Sequence, residues 1–256
     1  MEKRINGDIA FVCGRWPFDP SRSTLVFVHG AGETSLLWHA QVEGLGDRVN
    51  TVALDLPGHG RSGGRPQTSV EGYAAAVIDF VEAIAAPRPV PCGLSMGGAI
   101  TQQLLLDHPA RFAAGIIVSS GARLRVLPAL FDTIAEKFPA YVEMVDRLGF
   151  SEKTAAAVKQ PFLEDSLKAD PSVAHGDFKA CDRFDVMSRL GSIRAPVLVI
   201  SAEDDRLTPP KYGQFLEKGI PGAVRHHIPD AGHFVPIEKP HEVNAAIAAF
   251  LDANHL

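Results

Sequence analysis

A serine hydroxyl is a poor nucleophile near neutral pH. It needs a base, usually histidine, and the base needs an orienting carboxylate. One serine in this chain is set apart by its neighbours. In Gly93-Leu94-Ser95-Met96-Gly97, glycines stand two places before and two places after Ser95, and Gly98 follows. An apolar segment precedes it and a helical pattern follows it. That context fits a sharp strand-to-helix turn whose crowded backbone excludes side chains two places away. Such a turn aims the hydroxyl out of the sheet, at a helix N-terminus that favours a developing anion. Ser95 is the candidate nucleophile.

The chain offers ten histidines. His233, in DAGHFVPIEKP, has the best context: a loop between a strand-like run at 224–228 and the last helix. It is the candidate base. His29 and His59 sit in turns after strands and read as structural. His226 and His227 fall within a strand, His108 at a helix end, and His241 and His255 at the surface. The carboxylate is expected at a strand end between nucleophile and base. VLVISAEDDRLTPP supplies Glu203, Asp204 and Asp205, and its position before RLTP favours Asp205. The developing oxyanion needs backbone donors. The N–H of Met96 comes with the turn. The small residues of the loop after VFVHG make Ala31 the second candidate.

These residues must be positioned by regular elements. TLVFVHG (24–30), VNTVALDLPG (49–58), AAGIIVSSG (113–121) and APVLVISAEDD (195–205) are nearly continuous apolar runs. They predict parallel strands buried on both faces by helices. In SVEGYAAAVIDFVEAIAA (69–86), Val70, Ala74, Val77, Val81 and Ile84 form one helical stripe, with Ser69 as N-cap. GGAITQQLLLDHP (97–109) predicts a second helix. PHEVNAAIAAFL (240–251) predicts a third, with proline in its first turn. PRPVPCGL, before Ser95, carries Pro87, Pro89 and Pro91, which remove ladder donors. A strand starting only near Val90, or one whose first residues hang beyond the sheet edge, is expected there.

Between 122 and 187 the alternation stops. Leu130, Ile134 and Phe138, then Tyr141, Met144, Val145 and Leu148, suggest amphipathic helices punctuated by Pro139, Gly149, Pro161 and Pro171. A helical insertion between two strands is expected.

Composition narrows the function classes. With 46% hydrophobic and 21% charged residues the chain reads as a globular protein. A net charge of −5, with no basic run, argues against nucleic acid and against an anionic membrane. Cys13, Cys92 and Cys181 are too few and too scattered for a disulfide or metal motif. The N-terminus has no apolar stretch behind its charges, and no window suits a membrane span. A cytoplasmic location is the default expectation.

VFVHGAG, LDLPGHGRSG, GLSMGG, VLVISAEDDRLTP and DAGHFVPIEKP together resemble the α/β-hydrolase superfamily, in its motif order and its Ser, Asp, His chain order. The resemblance implies an α/β fold with a mostly parallel eight-stranded sheet flanked by helices. It also implies an inserted helical cap at 122–187, with the core at 1–121 and 188–256. Ser95, Asp205 and His233 would then be nucleophile, acid and base, and Ala31 and Met96 the oxyanion hole. The expected reaction is two-step hydrolysis of a small-molecule carboxylic ester, with no metal or organic cofactor. The stretch from GLSMGG to GARL resembles enol-lactone hydrolases, so a lactonase is the nearest alternative. Acyl-homoserine lactones and carbon–carbon bonds are further substrates for the same three residues. A non-catalytic ligand-binding protein of this fold is the alternative from another class. Serine in place of aspartate at the turn disfavours dehalogenation. Trp38, Met96, Leu127, Phe131 and Phe138 are expected, from their placement, to line the acyl pocket. HGDFKACDRFD (175–185) looks like a subgroup signature, or else like a helix returning the chain to the core with Phe178 and Phe184 buried.

Overall fold

The computed structural model describes residues 1–256. Eight strands form one sheet: β1 (Glu2–Asn6), β2 (Ile9–Cys13), β3 (Thr24–Val28), β4 (Asn50–Leu54), β5 (Pro89–Leu94), β6 (Gly115–Val118), β7 (Val197–Ala202) and β8 (Val224–Ile228). Their order is β1-β2-β4-β3-β5-β6-β7-β8. β1 pairs antiparallel with β2, and β2 with β4. All other pairs are parallel. The hairpin β1–β2 turns through Gly7 at φ +56° and leaves no long apolar run, so the apolar patterning of the sequence did not mark it.

Helices α1 (His39–Leu45) and α10 (Pro240–Ala253) cover one face of the sheet; α2 (Val70–Ala83), α3 (Met96–Asp107) and α8 (Pro210–Gly219) cover the other. The strands alternate between the two layers. Val26 and Val28 pack with α2 and α3, while Leu25 and Phe27 pack with α1 and α10. The stripe read in α2 is buried throughout, and the Ser69 side chain accepts from Gly72 N–H at 3.1 Å.

β5 starts at Pro89, one residue before the expected Val90, and does not hang beyond the sheet edge. It runs from Pro89 in the sheet centre, paired with β3 from Thr24↔Pro89 through Val26↔Pro91 to Val28↔Gly93. The Pro89 carbonyl accepts from Ala113 N–H, on the β6 side. Pro91, two places on, presents its backbone to that same side. Pairing with β6 begins only at Cys92↔Ile116. The missing proline donors therefore fall where no ladder runs.

Between β6 and β7 lie α4 (Pro128–Glu136), α5 (Phe138–Gly149), α6 (Ala156–Ser166) and α7 (Pro171–Arg183). Ile134, Tyr141, Val142 and Ala174 form a small core of their own. Pro161 lies inside α6 rather than ending a helix. The two ends of the segment meet: Val186 N–H donates to Ala122 O at 2.8 Å and Val126 N–H to Asp182 Oδ1 at 3.1 Å. Finally α9 (Val235–Glu238) precedes α10. No helix is long and apolar enough to cross a membrane. The three cysteines are buried and unpaired.

Ser69→Ala should lower stability by about 1 kcal/mol through loss of the α2 cap. Thermal unfolding should show a fall of roughly 2–4 °C.

Candidate functional site

Strand order reverses between β3 and β5, where an open parallel sheet leaves a crevice beyond its carboxyl ends. The turn after β3 carries Ala31 and the turn after β5 carries Ser95. Ser95 holds φ +55° and ψ −114°, a conformation that non-glycine residues adopt rarely. It is fixed from three sides. Ser95 N–H donates to Val118 O, and Ser95 O accepts from Ala99 N–H and from Ser120 Oγ at 2.7 Å. The flanking glycines answer to backbone rather than to side chains. A Cβ on Gly93 would lie 1.9 Å from Gly97 O, and one on Gly97 would lie 2.2 Å from Val28 O.

His233 follows β8 on a loop anchored to the end of α5, where its N–H donates to Gly149 O at 2.7 Å. Glu238 braces the same loop, accepting from Gly232 N–H and from Ser151 N–H. The imidazole Nδ1 lies 3.0 Å from Asp205 Oδ2 and 3.1 Å from Oδ1. Asp205 is itself held by the N–H groups of Leu207 and Thr208 and by Thr208 Oγ1 at 2.8 Å. The other two acidic candidates turn elsewhere: Asp204 accepts from Ser151 Oγ and Glu203 from Asp230 N–H. Burial alone would raise Asp205 and depress His233. Their mutual attraction and hydrogen bond reverse both, so Asp205 sits below the usual carboxylate range and His233 above the ordinary histidine value.

Ser95, His233, Thr208 and Ala31 line one cavity of about 360 Å³. The side-chain hydrogen bonds of His233 go to Asp205 and Thr208, and none joins it to Ser95. Apolar groups from the inserted segment, including Leu130, Met144, Leu148 and Phe178, make most of the opposite wall. Leu127 belongs to that wall. Trp38, Phe131 and Phe138 do not. Trp38 stacks on Phe27 in the α1 layer, behind the sheet. Phe131 packs edge-on against His175, and Phe138 packs at a tilt of 33° beside Tyr141, which reaches the cavity in its place. The Met96 side chain is fully buried in the α3 layer and does not line the cavity.

The turn at 30–32 is more constrained than its sequence suggested. Gly30 N–H donates to Glu33 Oε2 and Gly32 N–H to Asp177 Oδ2, both at 2.8 Å. Leu56 N–H donates to His29 Nε2, so the ring proton resides on Nδ1, which donates to Gly30 O at 2.8 Å. Burial holds His29 neutral, down at about 4. Because the peptide is planar and trans, a Gly30 carbonyl fixed toward His29 turns the Ala31 N–H the opposite way. That amide has no partner within the chain. His29, read from sequence as structural, orients the Gly30–Ala31 peptide. Glu33 and Asp177 were missed. Glu33 hid among small polar residues. Asp177 lies in the HGDFKACDRFD stretch, the one signal that could have found it.

Burial raises Glu33 from the ordinary 4.5 to about 7. A raised carboxylate contributes stability that is fully present below its unfolded value and lost as pH rises through the folded one. Stability should therefore decline between pH 4.5 and 7 on account of this group. Glu33→Gln stays neutral and keeps an acceptor for Gly30. Relative to the parent it should gain up to about 3 kcal/mol at pH 8 and little at pH 4. Urea unfolding at both pH values would check this, and equal differences would refute it.

A family model described as "Alpha/beta hydrolase family" matches residues 25–246. The "Uncharacterized hydrolase YugF" of Bacillus subtilis is 30% identical over 91% of both chains. A "3-oxoadipate enol-lactonase 2" of Acinetobacter baylyi is 26% identical, over 90% of this chain and 89% of its own. The structure of a thermophilic esterase superposes with a TM-score of 0.84 at 32% identity, covering 99% of this chain and 98% of the other. With the match running from β3 into α10, over the whole crevice just described, the chain belongs to the α/β hydrolase family.

Proposed function

We propose that this hydrolase cleaves carboxylic esters of small to medium substrates through an acyl-enzyme intermediate. Residues 122–187 act as a cap over the core formed by 1–121 and 188–256. Ser95 Oγ attacks the acyl carbon while His233 Nε2 takes its proton. Asp205 keeps the Nδ1 proton in place and stabilises the imidazolium. The amides of Ala31 and Met96 receive the oxyanion. The alcohol departs with the proton from His233, and water reverses the sequence to release the acid. The observation that carries this reading is a single cavity shared by Ser95, by His233 with buried Asp205 behind it, and by Ala31 with its unpartnered amide. The esterase at 32% identity supports ester cleavage.

A lactone carrying a carboxylate is the second reading. Three arginines, Arg123, Arg125 and Arg206, are among the residues around the same cavity, and the enol-lactonase relative agrees with such a substrate. A panel of p-nitrophenyl esters of rising acyl length, with neutral and anionic lactones added, separates the two.

Ser95→Ala should abolish p-nitrophenyl ester hydrolysis and fluorophosphonate labelling without lowering the unfolding temperature. Retained turnover would overturn the assignment of the nucleophile. His233 must be neutral to accept a proton, and its pKa lies above the ordinary 6.5. The acid limb of kcat/KM should therefore reach half its plateau above pH 6.5. A midpoint below that value would contradict the pairing with Asp205.

A further inference from the structure

Asp177, on α7, is fully buried and gathers three donors. Tyr73 OH from α2 donates to Oδ1 at 2.5 Å. His59 Nε2, from the turn after β4, donates to Oδ2 at 2.7 Å, and Gly32 N–H to the same oxygen at 2.8 Å. His59 Nδ1 faces Pro57 O at 3.1 Å. Both ring nitrogens thus point at acceptors, the arrangement of an imidazolium. Burial would depress His59, but Asp177 raises it on balance. The carboxylate therefore has a counter-charge beside it. It can hold an amide close to the expected oxyanion without opposing that charge.

Two donors, His59 and Tyr73, would meet the needs of a buried carboxylate. The third comes from a turn 145 residues away. Fixing Gly32 N–H fixes the plane of the Ala31–Gly32 peptide, with Gly32 at φ +70°. That plane and the Gly30 carbonyl held by His29 leave the Ala31 amide one direction.

We propose that Asp177 is a positioning residue: from the inserted segment it sets the 30–32 turn so that the Ala31 amide meets the oxyanion. This rests on the hydrolase reading above. Asp177 touches neither substrate nor reacting atoms. Its loss should therefore weaken transition-state binding more than ground-state binding.

The test compares Asp177→Leu, close in shape but with no acceptor for Gly32, with the parent at 25 °C on p-nitrophenyl butyrate, together with the rate of fluorophosphonate labelling. Removing a whole oxyanion donor costs roughly 100- to 1000-fold, so a displaced one should cost about 10- to 100-fold in kcat. KM should stay within about threefold, and labelling should slow in parallel. Tyr73→Phe is the control: it removes a donor to the same carboxylate without touching Gly32. It should lower the unfolding temperature and leave kcat within about threefold. If Asp177→Leu does not fold, Asp177→Leu with His59→Gln removes both charges and carries the same expectation. An unchanged kcat in a folded variant, with only stability lost, would reduce Asp177 to a structural role and overturn the proposal. A parent that is neither labelled at Ser95 nor active on esters or lactones would sink the hydrolase reading instead, and this proposal with it.

Discussion

Two backbones approach each other more closely than any side chain would allow, and the site depends on that approach. The first turn of α3 lies against the end of β3, so that a Cβ at position 97 would sit 2.2 Å from Val28 O. β3 and β5 are neighbours in the sheet, and the chain leaves them in opposite directions. Their two following turns therefore open into one crevice. Ser95 and Ala31 are brought together by strand pairing, not by any direct bond between them. Without the glycines, α3 would have to move outward and Ser95 with it.

Around that crevice the electrostatics follow one pattern. Each buried acid is paired with a histidine, held by backbone N–H groups as Asp55 is by those of Ser35 and Arg61, or kept from ionising. Asp205 faces His233, Asp177 faces His59, and Glu33, with no such partner, is pushed up toward neutrality. On the proposed function the site must stabilise a developing negative charge with these carboxylates nearby, and this arrangement makes them compatible with it. Breaking either pair by removing one partner would expose an uncompensated charge in a dry place, which is more damaging than never having had the pair.

The parallel sheet, the turn at Ser95 and the histidine loop were legible because each is local. Apolar runs, paired glycines and a loop before an amphipathic helix all fit within a dozen residues. Asp205 rather than Asp204 faces His233, since two residues at a strand end point in different directions. What failed was long-range. The pocket wall was chosen by residue type, but side-chain direction decides which face of a helix looks inward. Phe138 and Tyr141 are three places apart, and it is Tyr141 that reaches the cavity. The prolines of β5 looked prohibitive because a strand's pairing on each side can be known only once its neighbours are. Asp177 could not be assigned from sequence because its partners lie at positions 32, 59 and 73.

The inserted segment is anchored at both sides of the crevice. Its helix α7 reaches the turn of Gly32 through Asp177, and the end of α5 receives the backbone of His233 through Gly149. Such a segment is not an interchangeable module. Exchanging it wholesale for that of another family member, to obtain a different acyl preference, would also remove two supports of the machinery beneath it. On the proposed function, specificity and turnover are therefore coupled in this chain, and redesign has to keep those two footings while altering only the wall between them.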